Sequence, residues 1–160
     1  MSKIADAITD MFASVSLGAP DNAVGFVLWR VVHRYQREID RVLAPVDLTH
    51  LQFTMLAMAA WLAKSGEPVT QSTLSRAGDI HQMQVSHMLK ALEAKGMITR
   101  VRSPADVRAK LVEISDKGVG ALRDAMPLVV AVQQRMFGAE GGVGGRFLAT
   151  LHAIEDANRS

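Results

Sequence analysis

The chain reads as mainly α with a small antiparallel β-hairpin, and three observations predict this. Apolar residues recur at helical spacing over most of the 160 residues. Near residue 97 the period changes: Ile98-Thr99-Arg100-Val101-Arg102 alternates, and Leu111-Val112-Glu113-Ile114 answers it as a second strand. Ser103-Pro104-Ala105-Asp106 between them is turn chemistry. A length of 160 residues predicts a single domain, 1–160. With 49% hydrophobic and 21% charged residues, the composition excludes intrinsic disorder for most of it.

Residues 1–20 form an N-terminal arm, in which Ile4, Ile8, Met11, Phe12 and Val15 recur at helical spacing. A frayed tail and an arm packed on a partner subunit are both open readings. Gly18-Ala19-Pro20 breaks the pattern. From 21 to 43, Leu28, Val32, Tyr35, Ile39 and Val42 mark a helix, and Trp29 with Val31 widens its apolar surface beyond one seam. Such a helix is expected between a core and a second body. Thr49 and Gln52 then spell a capping box, with Leu48 and Phe53 as its hydrophobic staple.

The helix so begun runs to Lys64 and stops at Ser65-Gly66. The segment Glu67-Pro68-Val69 allows no more than a bridge-like strand. Thr70 caps a short helix over 71–77, Gly78-Asp79 interrupts, and a further helix ends at Gly96. In that last helix Val85, Met88, Leu89 and Leu92 share the inward face, leaving Gln82, Met83, Gln84, Ser86, His87 and Lys90 outward. After the hairpin, Ser115 caps a long helix to about Phe137, in which Pro127 deprives the Arg123 carbonyl of a partner and predicts a kink. Five glycines within 138–145 make a loop, and a final helix follows to Ala157.

Two short helices across a tight turn, followed by a hairpin, make a winged helix-turn-helix, whose second helix suits the DNA major groove. Charge points the same way. Between Arg76 and Lys110 seven cations face three carboxylates, a local excess of four on a chain whose total is only +2. A basic cluster set on a turn and a hairpin is the footprint of phosphate neutralisation. Residues 47–115 are thus the expected DNA-binding lobe; the helices over 21–45 and 116–157 carry more apolar surface than so small a lobe can bury and are the expected dimerisation region.

The sequence resembles the MarR family of transcriptional regulators over roughly residues 21–157. The family's wing reads D-x-R, five residues, L-T, two residues, G; here Asp106-x-Arg108, five residues, Ile114-Ser115, two residues, Gly118 keeps the spacing. Leu48-Thr49-x-x-Gln52-Phe53-x-x-Leu56, Thr70-Gln71-Ser72-x-Leu74, and Val85-Ser86 through Leu92-Glu93-x-Lys95-Gly96 resemble three of its helices. Two departures stand out. Gly78-Asp79 reverses the usual order of an apolar residue followed by glycine, and His81-Gln82-Met83 lacks the usual Asp and Arg. The resemblance implies a two-fold homodimer on double-stranded DNA, with Arg108 in the minor groove and Asp106 orienting it.

The remaining roles follow from side-chain chemistry. Gln82, Gln84, Ser86 and His87 can address base edges, and Met83 can touch a thymine methyl. Ser72, Thr73 and Lys90 suit phosphates, as do Arg100, Arg102 and Lys110 on the polar side of the hairpin. The resemblance further implies a small aromatic or phenolic effector, for which Trp29, His33, Arg37, Met55 and Met58 are the candidates; core packing is the competing reading for Trp29 and both methionines. A repressor released by such a ligand is the expected function. The competing classes are a winged-helix interaction module without DNA and a small-metabolite enzyme. No G-x-S-x-G elbow or phosphate loop supports the enzyme, the five scattered histidines have no metal-ligand spacing, and no cofactor is expected. Cysteine is absent, which removes disulfides and thiolate chemistry. Asp6 and Asp10 interrupt any signal-like apolar run, and uncharged runs such as 51–63 fall short of the ~20 residues of a membrane span. A cytoplasmic location without membrane contact is therefore expected.

Overall fold

The computed structural model describes residues 2–104 and 109–159. It contains two compact units, Met1–Glu38 and Ile39–Ser160. The first holds α1 (Lys3–Val15), a 3-10 turn (Pro20–Asn22) and most of α2 (Val24–Leu43). Ser2 caps α1 by accepting from the Ala5 N–H at 3.3 Å, and no residue of α1 is buried. Pro20 opens the 3-10 turn, where its missing N–H has no partner to lose. By length and composition, the segment Lys3–Val46 contains one window apolar enough to cross a bilayer, beyond the uncharged runs noted above. That window is not one helix. The break between Val15 and Val24 divides it, and α2 then carries Arg30, Arg34, Arg37, Glu38, Asp40 and Arg41.

The second unit builds a continuous core. Ile39 and Leu43, the last inward positions of α2, are completely buried. A 3-10 turn (Ala44–Val46) leads to Asp47 in the left-handed region at φ 56°, and α3 (His50–Lys64) begins behind the expected capping box. Both halves of the box are present: Gln52 N–H donates to Thr49 Oγ1 at 3.2 Å, and Thr49 N–H donates to Gln52 Oε1 at 3.3 Å. Helix α3 packs against α4 (Gln71–Gly78), α5 (Gln82–Ala94), the strand β2 (Lys110–Ile114) and α6 (Asp116–Phe137). It contributes Phe53, Met55, Leu56 and Ala59, which meet a layer of Leu74, Val85, Leu89, Leu92, Leu122, Ala125, Val129 and Val132 in the core. Helix α6 is continuous through Pro127.

Strand β1 (Ile98–Arg102) pairs antiparallel with β2, from Ile98 opposite Ile114 to Arg102 opposite Lys110. The predicted bridge is also present, one residue later than expected: Thr70 bridges to Leu111, and Val112 N–H donates to the Val69 carbonyl at 2.7 Å. The chain entering α4 is therefore tied to the hairpin. A second knot closes the hairpin base. Ser115 Oγ donates to the Gly96 carbonyl at 2.6 Å and accepts from Gly118 N–H at 3.1 Å, while Ser115 N–H donates to the Met97 carbonyl. A Cβ on Gly118 would lie 2.2 Å from that Met97 oxygen, so only glycine fits. After α6, a 3-10 turn (Ala139–Gly141) lies inside the expected glycine-rich loop and leads to α7 (Arg146–Ala157).

Candidate nucleic-acid interface

The turn between α4 and α5 explains the reversed Gly-Asp order. The left-handed position is Asp79, at φ 49°, a conformation that Asp tolerates better than most residues. Gly78 is still helical, and a Cβ there would lie 2.8 Å from Met58 Cε and 2.9 Å from Ile80 Cδ1. The glycine thus lets Met58 and Ile80 pack against the turn, and the aspartate supplies its left-handed position. Side chains lock the geometry: Ser75 Oγ donates to the Ile80 carbonyl at 2.6 Å, and Gln71 Nε2 donates to the Gln82 carbonyl at 3.0 Å. His81 caps α5, its Nδ1 accepting from the Met83 N–H at 3.2 Å. That nitrogen therefore carries no hydrogen in this arrangement.

With α5 so fixed, Val85, Leu89 and Leu92 are buried, and Gln82, Met83, Gln84, His87 and Lys90 are exposed. Ser86 is half-buried at the margin. In α4, Ser72 is exposed. Thr73 is otherwise engaged: its Oγ1 takes part in the Thr70 capping box, accepting from Thr70 N–H at 2.8 Å, and lies 3.1 Å from the Pro68 carbonyl. The signal was present in the sequence, since Thr70 and Thr73 have capping-box spacing.

The hairpin separates two roles that its sequence made look alike. Arg100 lies on the same strand face as buried Ile98, and its guanidinium donates through Nε and Nη2 to Glu93 Oε2 at 3.0 and 2.5 Å. Only 18% of its side chain is exposed. That hydrogen bond, opposed by desolvation and aided by the positive fields of Arg100 and Lys110, holds the Glu93 carboxyl below its ordinary value. Arg100 therefore anchors β1 to α5. Further out, Arg102 and Lys110 are exposed and stand directly opposite each other in the register. Like charges on one rung are unfavourable in the chain itself and concentrate positive potential at the hairpin's outer end. The wing pair Asp106 and Arg108 lies outside the described residues.

Sequence reasoning missed one further feature. Lys95, just past α5, donates through Nζ to the Asp47 carbonyl (2.6 Å), to Asp47 Oδ1 (3.0 Å) and to Gln52 Oε1 (2.9 Å). The same Gln52 that closes the α3 capping box thereby fixes the far end of α5. Lys117 Nζ adds a bond to the Lys95 carbonyl at 2.7 Å.

The candidate ligand residues fall in both units, and each group stands by itself. In the first, Trp29 and His33 have ring centroids 4.2 Å apart, and Phe26 stacks on Trp29 at 6.2 Å. His33 Nδ1 lies 2.7 Å from the Trp29 carbonyl, which can only accept, so Nδ1 carries the hydrogen and Nε2 is left for other contacts. Arg37 is exposed one turn on. In the second unit Met55 is completely buried and Met58 is half-buried against the Gly78 turn. An open cleft of about 490 Å³ is lined by Pro45, Val46, Asp47, Met97, Lys117 and Asp124 among others, and none of the five candidates lines it.

Comparison with known proteins agrees with this geometry. The family model described as MarR family matches residues 48–110. The HTH-type transcriptional regulator YdcH of Bacillus subtilis is 35% identical over 120 residues, covering 75% of this chain and 82% of that protein. MOSR of M. tuberculosis, solved in complex with DNA, superposes with a TM-score of 0.67 at 26% identity, covering 86% of this chain and 99% of that one. The transcriptional repressor CouR bound to a 23-mer DNA duplex gives 0.72 at 26% identity, covering 91% and 99%. CouR from Rhodococcus jostii RHA1 bound to p-coumaroyl-CoA gives 0.74 at 24%, covering 89% and 98%.

Proposed function

Because the chain belongs to the MarR family of transcriptional regulators, DNA-binding proteins and not enzymes, we propose that it is a repressor acting as a homodimer on a pseudo-palindromic operator. The observation that carries this reading is the exposed outer face of α5 beside the paired cations Arg102 and Lys110. A helix for the groove and a cationic hairpin edge for the backbone are the two parts such a reader needs. Two-fold symmetry then sets half-site centres about one helical turn, ~10 bp, apart.

Apolar surface supports the dimer. Ile4, Ile8, Met11, Phe12 and Val15 are exposed along α1, and Phe147, Leu151 and Ile154 along α7. Stripes of this kind at helical spacing are what a second copy would cover.

Binding is tested by mobility-shift titration of randomised duplexes at several salt concentrations. A sequence-selected duplex whose affinity falls steeply with salt supports the reading. Arg108→Ala should weaken that binding by about 1–3 kcal/mol without unfolding the protein. Absence of any salt-sensitive duplex binding would instead favour a winged-helix interaction module.

The effector we assign to this repressor is a small aromatic or phenolic acid, resting on the Trp29–His33 pair with Arg37 beyond it. An aromatic ring stacks on the former, and a carboxylate suits the latter. CouR, solved with p-coumaroyl-CoA, is an example of a neighbour holding an aromatic acyl ligand. Calorimetry against a panel of phenolic and aromatic acids tests it: one should give heat, lose it in Trp29→Ala, and release DNA. No heat from any of them removes the effector.

A further inference from the structure

On a helix advancing 100° per residue, Met83 and His87 lie nearly opposite buried Val85, Leu89 and Leu92, with Lys90 on the same outward side. The outward line of α5 therefore begins with a methionine, placed between Gln82 on one side and Gln84 on the other. Met83 is 76% exposed, the most exposed large apolar side chain among the described residues of the second unit after Val143. Its backbone is fixed, because its N–H is held by His81 and the neighbouring Gln82 carbonyl by Gln71. No Arg or Lys stands on α5 before Lys90.

The major-groove floor offers hydrogen-bonding atoms at every base pair and one apolar group, the C5-methyl of thymine. A thioether seated against guanine would cover two acceptors, N7 and O6, without satisfying either. Resting on the DNA-binding reading above, we infer that Met83 packs on a thymine methyl in each half-site and that Met83 is a specificity-determining residue. The base pairs beneath the first turns of α5 are then A·T. The flanking Gln82 and Gln84 suit this composition, since a glutamine amide matches the N6 and N7 pattern of adenine.

The test starts from duplexes selected by the full-length protein from a random pool. Each selected thymine is replaced in turn by deoxyuridine, which removes the methyl and leaves every hydrogen-bonding atom in place. One symmetric thymine per half-site should cost about fourfold in affinity when replaced, the worth of one buried methyl-sized group. Replacing both should cost about fifteenfold. In Met83→Ala, whose folding is checked by thermal unfolding, the uracil and thymine duplexes should bind within twofold of each other. A selected site without any methyl-sensitive thymine overturns the inference, as does a Met83→Ala protein that keeps the full discrimination. Failure to select any sequence overturns the DNA-binding reading itself, which separates the two failures.

Discussion

The lobe of residues 47–115 and the helices α1 and α7 treat their surfaces in opposite ways. In the lobe, apolar side chains are mostly buried, and caps, turns and charges are engaged within the chain itself: Gln52 by Lys95, Arg100 by Glu93, Thr73 within its own capping box. In α1 and α7 no residue is buried, and apolar stripes face outward. The lobe buries its apolar residues in a core shared with the end of α2 and with α6, whereas a helix that exposes an apolar stripe is shaped for another surface. On the proposed reading the lobe supplies the polar face for DNA, and α1 and α7 are the candidates for contact with a second copy.

Four changes break or sharpen this contrast. The largest effect belongs to α7. Leu151→Glu with Ile154→Glu should convert a dimer into monomers and reduce operator affinity more than 100-fold, because the second half-site contact is lost with the partner. Light scattering and a mobility shift read the two outcomes, and an unchanged mass would remove α7 from the interface. Next comes the hairpin base. Gly118→Ala forces a Cβ into the Met97 carbonyl and should destabilise the second unit by about 3 kcal/mol in urea unfolding, with no change of mass per folded particle.

The Lys95 knot ranks third. Lys95→Met removes three donated bonds from a side chain 24% exposed and should cost about 1–2 kcal/mol. Retained stability would show that the knot adds nothing to the lobe. The smallest effect is titration of His50 at the start of α3. Burial lowers its pKa below 6.5, against the raising field of Asp40, whose Oδ1 accepts from the His50 backbone N–H at 2.6 Å. Between the lowered value and 6.5 the unfolded chain binds more protons than the folded one. Stability should therefore fall as pH drops through that window and level off below it, and His50→Gln should flatten the slope.

Local features were legible in the sequence and distant ones were not. Both the Thr49–Gln52 box and the Ser115 cap place partners three residues apart, so their spelling is visible in a short string. The hairpin was legible because its period changes from helical to alternating. By contrast, Lys95 meets Asp47 and Gln52 across 48 and 43 residues, and a string offers no spacing rule for that. Arg100 illustrates the intermediate case. Alternation placed it correctly on the hairpin, but only packing shows that Glu93, on the preceding helix, claims it. At Gly78-Asp79, which departs from the family's usual order, the aspartate takes the left-handed position and the glycine leaves room for Met58 and Ile80.

The Arg102–Lys110 rung carries a consequence for order. Just beyond it a Ser103 N–H bond to the Ala109 carbonyl at 3.0 Å ties the two strands, so the repulsion acts near the outer end of the described ladder. An anion seated between the two cations would turn that repulsion into bridging attraction. A phosphate there is expected to fasten the outer end of the hairpin: the Ser103 amide hydrogen, which bonds across the ladder, should exchange more slowly once a polyanion is bound.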